Sequence, residues 1–345
     1  MQLSQIARYR DAAFQLPDVP SWLPPERHHD AAAIERHCND LARAGLVGHF
    51  GNEDAAERFL ARRLPLRAAL CYPRTLDDRA AGLASLAVPT ALADEAFRAP
   101  GVRDDPERAA VLRDRLLSVL DDVAPPAGFA LGRLLYTALS RTTPRMPPAV
   151  ARRYRQAHRE TVECSLHEAA EGHDDTVLDF ATYLGVRRTH HAAHRAAVLT
   201  EYAIGVDLTR ELSESPALAA ARDLAVDHLT LVDELFSFPE ECRAPRSVSA
   251  VWVFVAHEGR TVQGAVDKLA GLVAAAEEDF AETCARVLHG PLGERGDVLL
   301  YLRELGHLMS GNLHHHRFVR GGEAACVPSP GPGTAPGVPR PASPA

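Results

Sequence analysis

Between about residue 30 and residue 320, apolar residues recur three and four positions apart, the period of helices that bury one face. The pattern predicts helices over Ala31–Leu46, Asp77–Phe97, Pro106–Val123, Pro147–Glu171, Pro216–Phe238, Thr261–Leu288 and Asp297–His315. Strand-like alternation is scarce. The run V-S-A-V-W-V-F-V at 248–255 is the best strand candidate, and it also fits a buried helix. No stretch repeats with a solenoid period of roughly 20–50 residues.

The same pattern divides the chain in three. Residues 1–30 carry prolines at 17, 20, 24 and 25 and read as an extended arm. Residues 31–320 read as one all-α domain. Residues 321–345 hold 7 prolines among Gly, Ser and Ala, too little apolar surface to fold, so a disordered tail is expected.

Composition narrows the chemistry. With 46% hydrophobic and 24% charged residues the chain is globular in type, and a net charge of −8 argues against a nucleic-acid partner. The N-terminus lacks an apolar signal core, and no apolar run approaches the ~18 residues of a membrane span. The 6 cysteines form no C-x-x-C pair, so free thiols are expected. Together these features predict a cytoplasmic protein without stable membrane association. One lysine, Lys268, stands against 37 arginines. It lies in A-V-D-K-L-A-G, which is neither a phosphate-binding loop nor a Schiff-base context, and both of those classes drop out.

A helical enzyme places its chemistry between helices, on inward side chains. In D-E-L-F-S-F-P-E-E (233–241), Asp233, Ser237 and Glu241 stand at i, i+4 and i+8 on one helical face. A carboxylate, a hydroxyl and a carboxylate in line suit a hard cation such as Mg²⁺; the competing reading is a solvated acidic face. The histidines at 190, 191 and 194 and at 314–316 have no acid or cysteine at ligand spacing, so a zinc site is disfavoured. They are expected at the polar mouth of a pocket or in solvent.

This segment resembles the second metal motif of bacterial class I terpene synthases, N/D-D-x-x-S/T-x-x-x-E. Other segments resemble the same family in the same order: F-Q-L-P-D-V-P-S-W, C-Y-P-R (71–74), Y-L-G-V-R-R (183–188), E-Y-A-I-G (201–205) and G-N-L-H-H-H-R-F (311–318). Counting on from C-Y-P-R, the family's first motif, D-D-x-x-D, falls on Asp94-Glu95-Ala96-Phe97-Arg98. The earlier Asp77-Asp78 pair reads instead as a helix start, where acids favour the macrodipole.

The resemblance implies a single-domain class I terpenoid synthase bundle with a central cavity. It implies Asp94, Glu95, Asp233, Ser237 and Glu241 as Mg²⁺ ligands, in a trinuclear cluster with pyrophosphate. Arg187 and Arg317 would be the catalytic arginines that hold the diphosphate. Phe97, Phe180 and Tyr183 would contact the substrate, with Trp252 a further aromatic candidate. The implied substrate is a prenyl diphosphate, farnesyl diphosphate favoured over geranyl or geranylgeranyl, and the default assembly is a homodimer.

Departures cluster at the chemistry. Arg98 replaces the last acid of the first motif and can pair with Asp94. Glu240 stands where the family usually has a lysine, and Phe318 replaces a tyrosine. Pro89 and Pro239 fall inside predicted helices and should kink them. A repurposed protein that keeps the pocket for a prenyl ligand or a partner, without catalysis, is therefore the alternative to an active cyclase. A chain-elongating prenyltransferase would need two Asp-rich motifs and lysines that the chain lacks.

Overall fold

The computed structural model describes residues 9, 12–171, 177–242 and 248–321. Its helices are α1 (Ala31–Phe50), α2 (Glu53–Leu60), α3 (Leu64–Cys71), α4 (Asp77–Ser85), α5 (Ala87–Arg98), α6 (Pro106–Leu120), α7 (Ala130–Thr142), α8 (Pro148–Glu171), α9 (Phe180–His190), α10 (Ala193–Ile204), α11 (Pro216–Glu241), α12 (Ala250–Glu258), α13 (Val262–Leu288) and α14 (Gly296–Gly321), with short helical turns between some of them. The described residues contain no strand, so the all-α expectation holds. The predicted tail beyond Gly321 lies outside the described residues.

Local sequence sets the helix ends. The side chains of Asn52, Asp105, Asp179, Ser215, Ser249 and Thr261 each accept the backbone N–H three residues on and so cap α2, α6, α9, α11, α12 and α13. Gly51, at φ 76°, ends α1 in the left-handed conformation that glycine adopts without strain. The ambiguous run at 248–255 forms α12: residues Val251 to Val255 are all buried, so it is a core helix with no polar face to give it an amphipathic stripe.

The two prolines act differently from each other. The predicted helix over 77–97 is broken at Leu86. α4 ends at Ser85 and α5 restarts at Ala87, which puts Pro89 in a first turn where a missing N–H costs no intrahelical bond. Pro89 therefore corresponds to a break and not to a kink. Pro239 is accommodated inside α11, which continues to Glu241. Glu241 keeps an oxygen 3.8 Å from Arg187, so it is not swung away from its neighbours.

α11 packs against α13 and α14, α14 against α3 and α10, and α8 against α6 and α10. Two apolar clusters result. The larger joins α1, α3, α4, α5, α7, α8 and α10 with the first half of α11. The smaller joins the second half of α11 with α12 and the start of α13. The N-terminal arm crosses α13 and α14. Gln15 and Gln263 exchange backbone–side-chain hydrogen bonds at 2.8 and 3.0 Å, and Val19 is buried in the smaller cluster. Among the described residues, no helix is long and apolar enough to cross a membrane.

The tightest helix approach is at Gly311 of α14. A Cβ there would sit 2.3 Å from the Leu70 carbonyl oxygen and 2.6 Å from the Cys71 nitrogen, both backbone atoms that cannot swing aside. Gly311→Ala is expected to cost about 1–3 kcal/mol by overpacking. Thermal unfolding should show a midpoint lowered by a few °C, and an unchanged midpoint would contradict the close approach.

Candidate active site

A cavity of about 240 Å³ opens between α3, α5, α8, α10, α11 and α14. Its lining residues fall three, four and seven apart along each helix, so each helix offers one face. α5 contributes Ala91, Asp94, Phe97 and Arg98, and α8 contributes Tyr154, His158, Thr161 and Ser165. α10 supplies Arg195 and Leu199, α11 supplies Leu229 and Asp233, α14 supplies Leu308 and Asn312, and α3 supplies Arg67 and Cys71. Thus Asp94 from the first predicted motif and Asp233 from the second share one cavity.

Both acids are met by cations. Asp233 Oδ1 accepts from His316 Nε2 at 2.6 Å and lies 3.4 Å from Arg67, whose guanidinium also donates to Asn312. His191 Nδ1 is 3.7 Å from the other oxygen. Burial alone would raise the Asp233 pKa, but Arg67, His316 and His191 outweigh it and hold the carboxyl well below the usual range. Asp94 lies 3.4 Å from Arg98, the pairing expected from their spacing, and 3.9 Å from His190. Glu95 turns outward, where it pairs with Arg62 at 3.1 Å, and it does not line the cavity.

Glu234, the residue after Asp233, is fully buried. It accepts from Tyr183 Oη at 2.6 Å, Arg187 Nε at 2.5 Å and the Ala250 backbone N–H at 2.8 Å, and His191 Nε2 is 2.9 Å away. Burial raises its pKa, and Arg187 and His191 more than reverse that. Arg187 is thus buried at Glu234, with Glu241 3.8 Å away, and does not line the cavity. Ser237 Oγ and Glu241 Oε2 are buried beside each other, one helical turn apart, and among the described residues meet no third hydrogen-bonding group. Burial pushes Glu241 up to about 7, against the pull of Arg187.

The remaining predicted residues scatter. Arg317 pins the arm, donating to the Val19 carbonyl and lying 3.3 Å from Asp18. Phe318 sits against Arg63, with 5.1 Å from the guanidinium to the ring centre. Glu240 is exposed and points away. Of the predicted aromatic groups, Phe97 lines the cavity. Phe180 packs on Phe254 at 4.6 Å, Tyr183 is spent on Glu234 and the Val248 carbonyl, and Trp252 lies edge-on to Phe238 at 5.1 Å. Tyr183 and Trp252 belong to the smaller core and Phe180 packs against it, because α9 and α12 turn these rings away from the cavity, which α9 reaches only through His190 at its end. Tyr72 and Tyr154 face inward instead. Tyr154, His158, Thr161 and Ser165 form a stripe at helical spacing that the sequence offered and that sequence reasoning passed over.

Asp77 and Asp78 open α4, as expected. Asp77 also lies near His28 and His29, a grouping with metal-ligand proximity. His28, however, donates from Nε2 to the Thr75 carbonyl at 3.0 Å and accepts the Asp30 N–H at Nδ1, 3.2 Å, so neither ring nitrogen is free for an ion. At the cavity the donor set is better suited. Asp94 and Asp233 line it with hard carboxylate oxygens of the kind a divalent cation prefers, while Ser237 and Glu241 lie further along α11, outside its lining.

Residues 87–279 match the family model described as "Terpene synthase family 2, C-terminal metal binding". The chain is 26% identical over 325 residues to Alpha-muurolene synthase of Coprinopsis cinerea, an alignment covering 88% of this chain and 72% of that protein. Among solved structures, a variant of the SVS_A2 protein from ancestral sequence reconstruction superposes with a TM-score of 0.79 at 20% identity, covering 92% of this chain and 96% of that one. Germacradien-4-ol synthase from Streptomyces citricolor gives 0.73 at 17%, covering 89% and 98%. At these identities the two structures establish a shared fold.

The Arg187–Glu234 pair should behave as a unit. Glu234→Leu alone, or Arg187→Met alone, leaves a buried charge uncompensated and should cost about 3–5 kcal/mol in chemical denaturation. The double variant should recover part of that loss, and strictly additive costs would contradict the pairing.

Proposed function

The chain belongs to terpene synthase family 2, and from that premise we propose that it is a Mg²⁺-dependent cyclase that ionises an allylic prenyl diphosphate, farnesyl diphosphate being the favoured substrate. The observation that carries this reading is that Asp94 and Asp233, from two motifs 139 positions apart (233 − 94), line one largely apolar cavity. Asp94, Asp233, Ser237 and Glu241 would hold the metal, with Glu95 joining only after leaving Arg62. When bound, the metal supplies Lewis-acid stabilisation of the departing pyrophosphate.

The chain's own residues do the rest. The allylic carbon–oxygen bond breaks, and its electron pair leaves with the pyrophosphate oxygen. Charge-assisted donors at the cavity then meet that negative charge. Arg187 and Arg317 are proposed for this work only if they release Glu234 and the arm, respectively. The apolar walls from Leu86, Phe97, Leu199 and Leu229 exclude water, which would otherwise quench the cation to an alcohol. Phe97, Tyr72 and Tyr154 offer ring faces to a travelling positive charge. The well-covered curated relative described above comes from Coprinopsis, so the bacterial subdivision suggested by the motifs is a finer proposal than family membership.

A second reading, a non-catalytic prenyl-ligand protein, draws on Glu95, Arg187 and Arg317 all being engaged away from the cavity. Turnover separates the two. Purified protein with Mg²⁺ and the ten-, fifteen- and twenty-carbon diphosphates should release a hydrocarbon or alcohol from the fifteen-carbon substrate, read by gas chromatography. Asp233→Ala and Glu241→Ala should each lower that rate at least 100-fold. No product from any of the three substrates would favour the second reading.

A further inference from the structure

The cavity holds a buried guanidinium that no acid pairs with directly; the Asp94 carboxylate acts on it only from beyond ion-pair distance. Each of the other arginines lining it has an acidic partner: Arg62 has Glu95, Arg67 has Asp233, and Arg98 has Asp94. Arg195, in the first turn of α10, is 7% exposed and lines the same cavity. Among the described residues it makes neither a salt bridge nor a hydrogen bond, and its buried Nη1 has no partner. Its neighbours Tyr72 and Tyr154 are held neutral, because burial raises both phenols above their ordinary range. His158 is likewise held neutral by burial and by Arg195 itself. The chain's one lysine is elsewhere, engaged with Glu258.

A guanidinium stays protonated in a protein, and burying one without a counter-charge is strongly unfavourable. A bound anion would offset that cost. We propose that Arg195 is the residue that holds the diphosphate head of the substrate in this cavity, as the partner that the protein itself omits. This rests on the prenyl diphosphate reading above and assigns its anion to one side chain that no motif marked. A planar guanidinium can donate two parallel N–H bonds to diphosphate oxygens. When the carbon–oxygen bond breaks, the electron pair stays on the oxygen that Arg195 contacts, with no proton transferred. The retained pyrophosphate then lies between the guanidinium and the new carbocation, which a bare Arg195 would repel.

The test uses the full chain with Mg²⁺ and inorganic pyrophosphate as the probe. Wild type should bind saturably by calorimetry. Arg195→Leu should weaken that affinity at least tenfold and raise the KM for farnesyl diphosphate, and Arg195→Lys should recover part of both. Without pyrophosphate, Arg195→Leu should melt about 2 °C or more above wild type, because it removes an uncompensated buried charge. It should also lose the stabilisation that pyrophosphate confers on wild type. Wild-type affinity retained in both variants would overturn the assignment and leave the cyclase reading standing. A lower melting point in Arg195→Leu together with intact pyrophosphate affinity would make Arg195 structural and overturn it as well. A wild-type protein that binds no pyrophosphate would overturn the diphosphate reading itself.

Discussion

The site is organised by Glu234, a fully buried carboxylate that accepts hydrogen bonds from Tyr183, Arg187 and the Ala250 N–H while His191 closes the set. These partners come from α9, from the turn after it and from the start of α12, so one side chain of α11 ties three segments together. A helix turns about 100° per residue. With Glu234 fixed inward to that network, Asp233 is turned to the cavity, and Ser237 and Glu241 follow on the same side as Asp233. The orientation of α11 toward the cavity is thus set from behind, by the Arg187–Glu234 ion pair, which lies outside the cavity lining.

The second organising fact is charge compensation inside the cavity. The chain carries a net charge of −8, yet each acid that lines the cavity is already answered, Asp233 by Arg67 and Asp94 by Arg98, with the rings of His316 and His190 beside them. Arg195 is then in excess. The pocket is prepared for an anion before it is prepared for a cation. A metal arriving alone would have to displace guanidinium and imidazole partners, whereas a metal arriving with a diphosphate brings the charge that those groups would take up.

Much of the architecture was legible in the sequence because helical periodicity is a local signal. The long helices from Ala31, Pro106, Pro216, Thr261 and Asp297 begin within a residue of where their apolar stripes and caps put them. The spacing of Asp233, Ser237 and Glu241 gave one face of one helix, and the Asp94–Arg98 pair followed from an i,i+4 rule. What was not legible depends on which helix faces which. Phe180 and Tyr183 carry the right ring chemistry, but α9 turns them to the smaller core. The resemblance marks Arg187 for the diphosphate, but no motif shows that Glu234, one residue past Asp233, takes its guanidinium. Arg195 and Arg67 were two arginines among 37, and only the fold distinguishes a buried guanidinium from a solvated one.

On the proposed function, the cavity's acids stay paired with the protein's own guanidinium groups until a diphosphate enters. Calorimetric titration of Mg²⁺ into the wild-type protein tests this most directly, run once alone and once with inorganic pyrophosphate present. Mg²⁺ alone should show no saturable binding in the micromolar range, and saturable binding should follow when pyrophosphate is added. Tight Mg²⁺ binding in the absence of pyrophosphate would show that the acids are free to take the metal, and would contradict it.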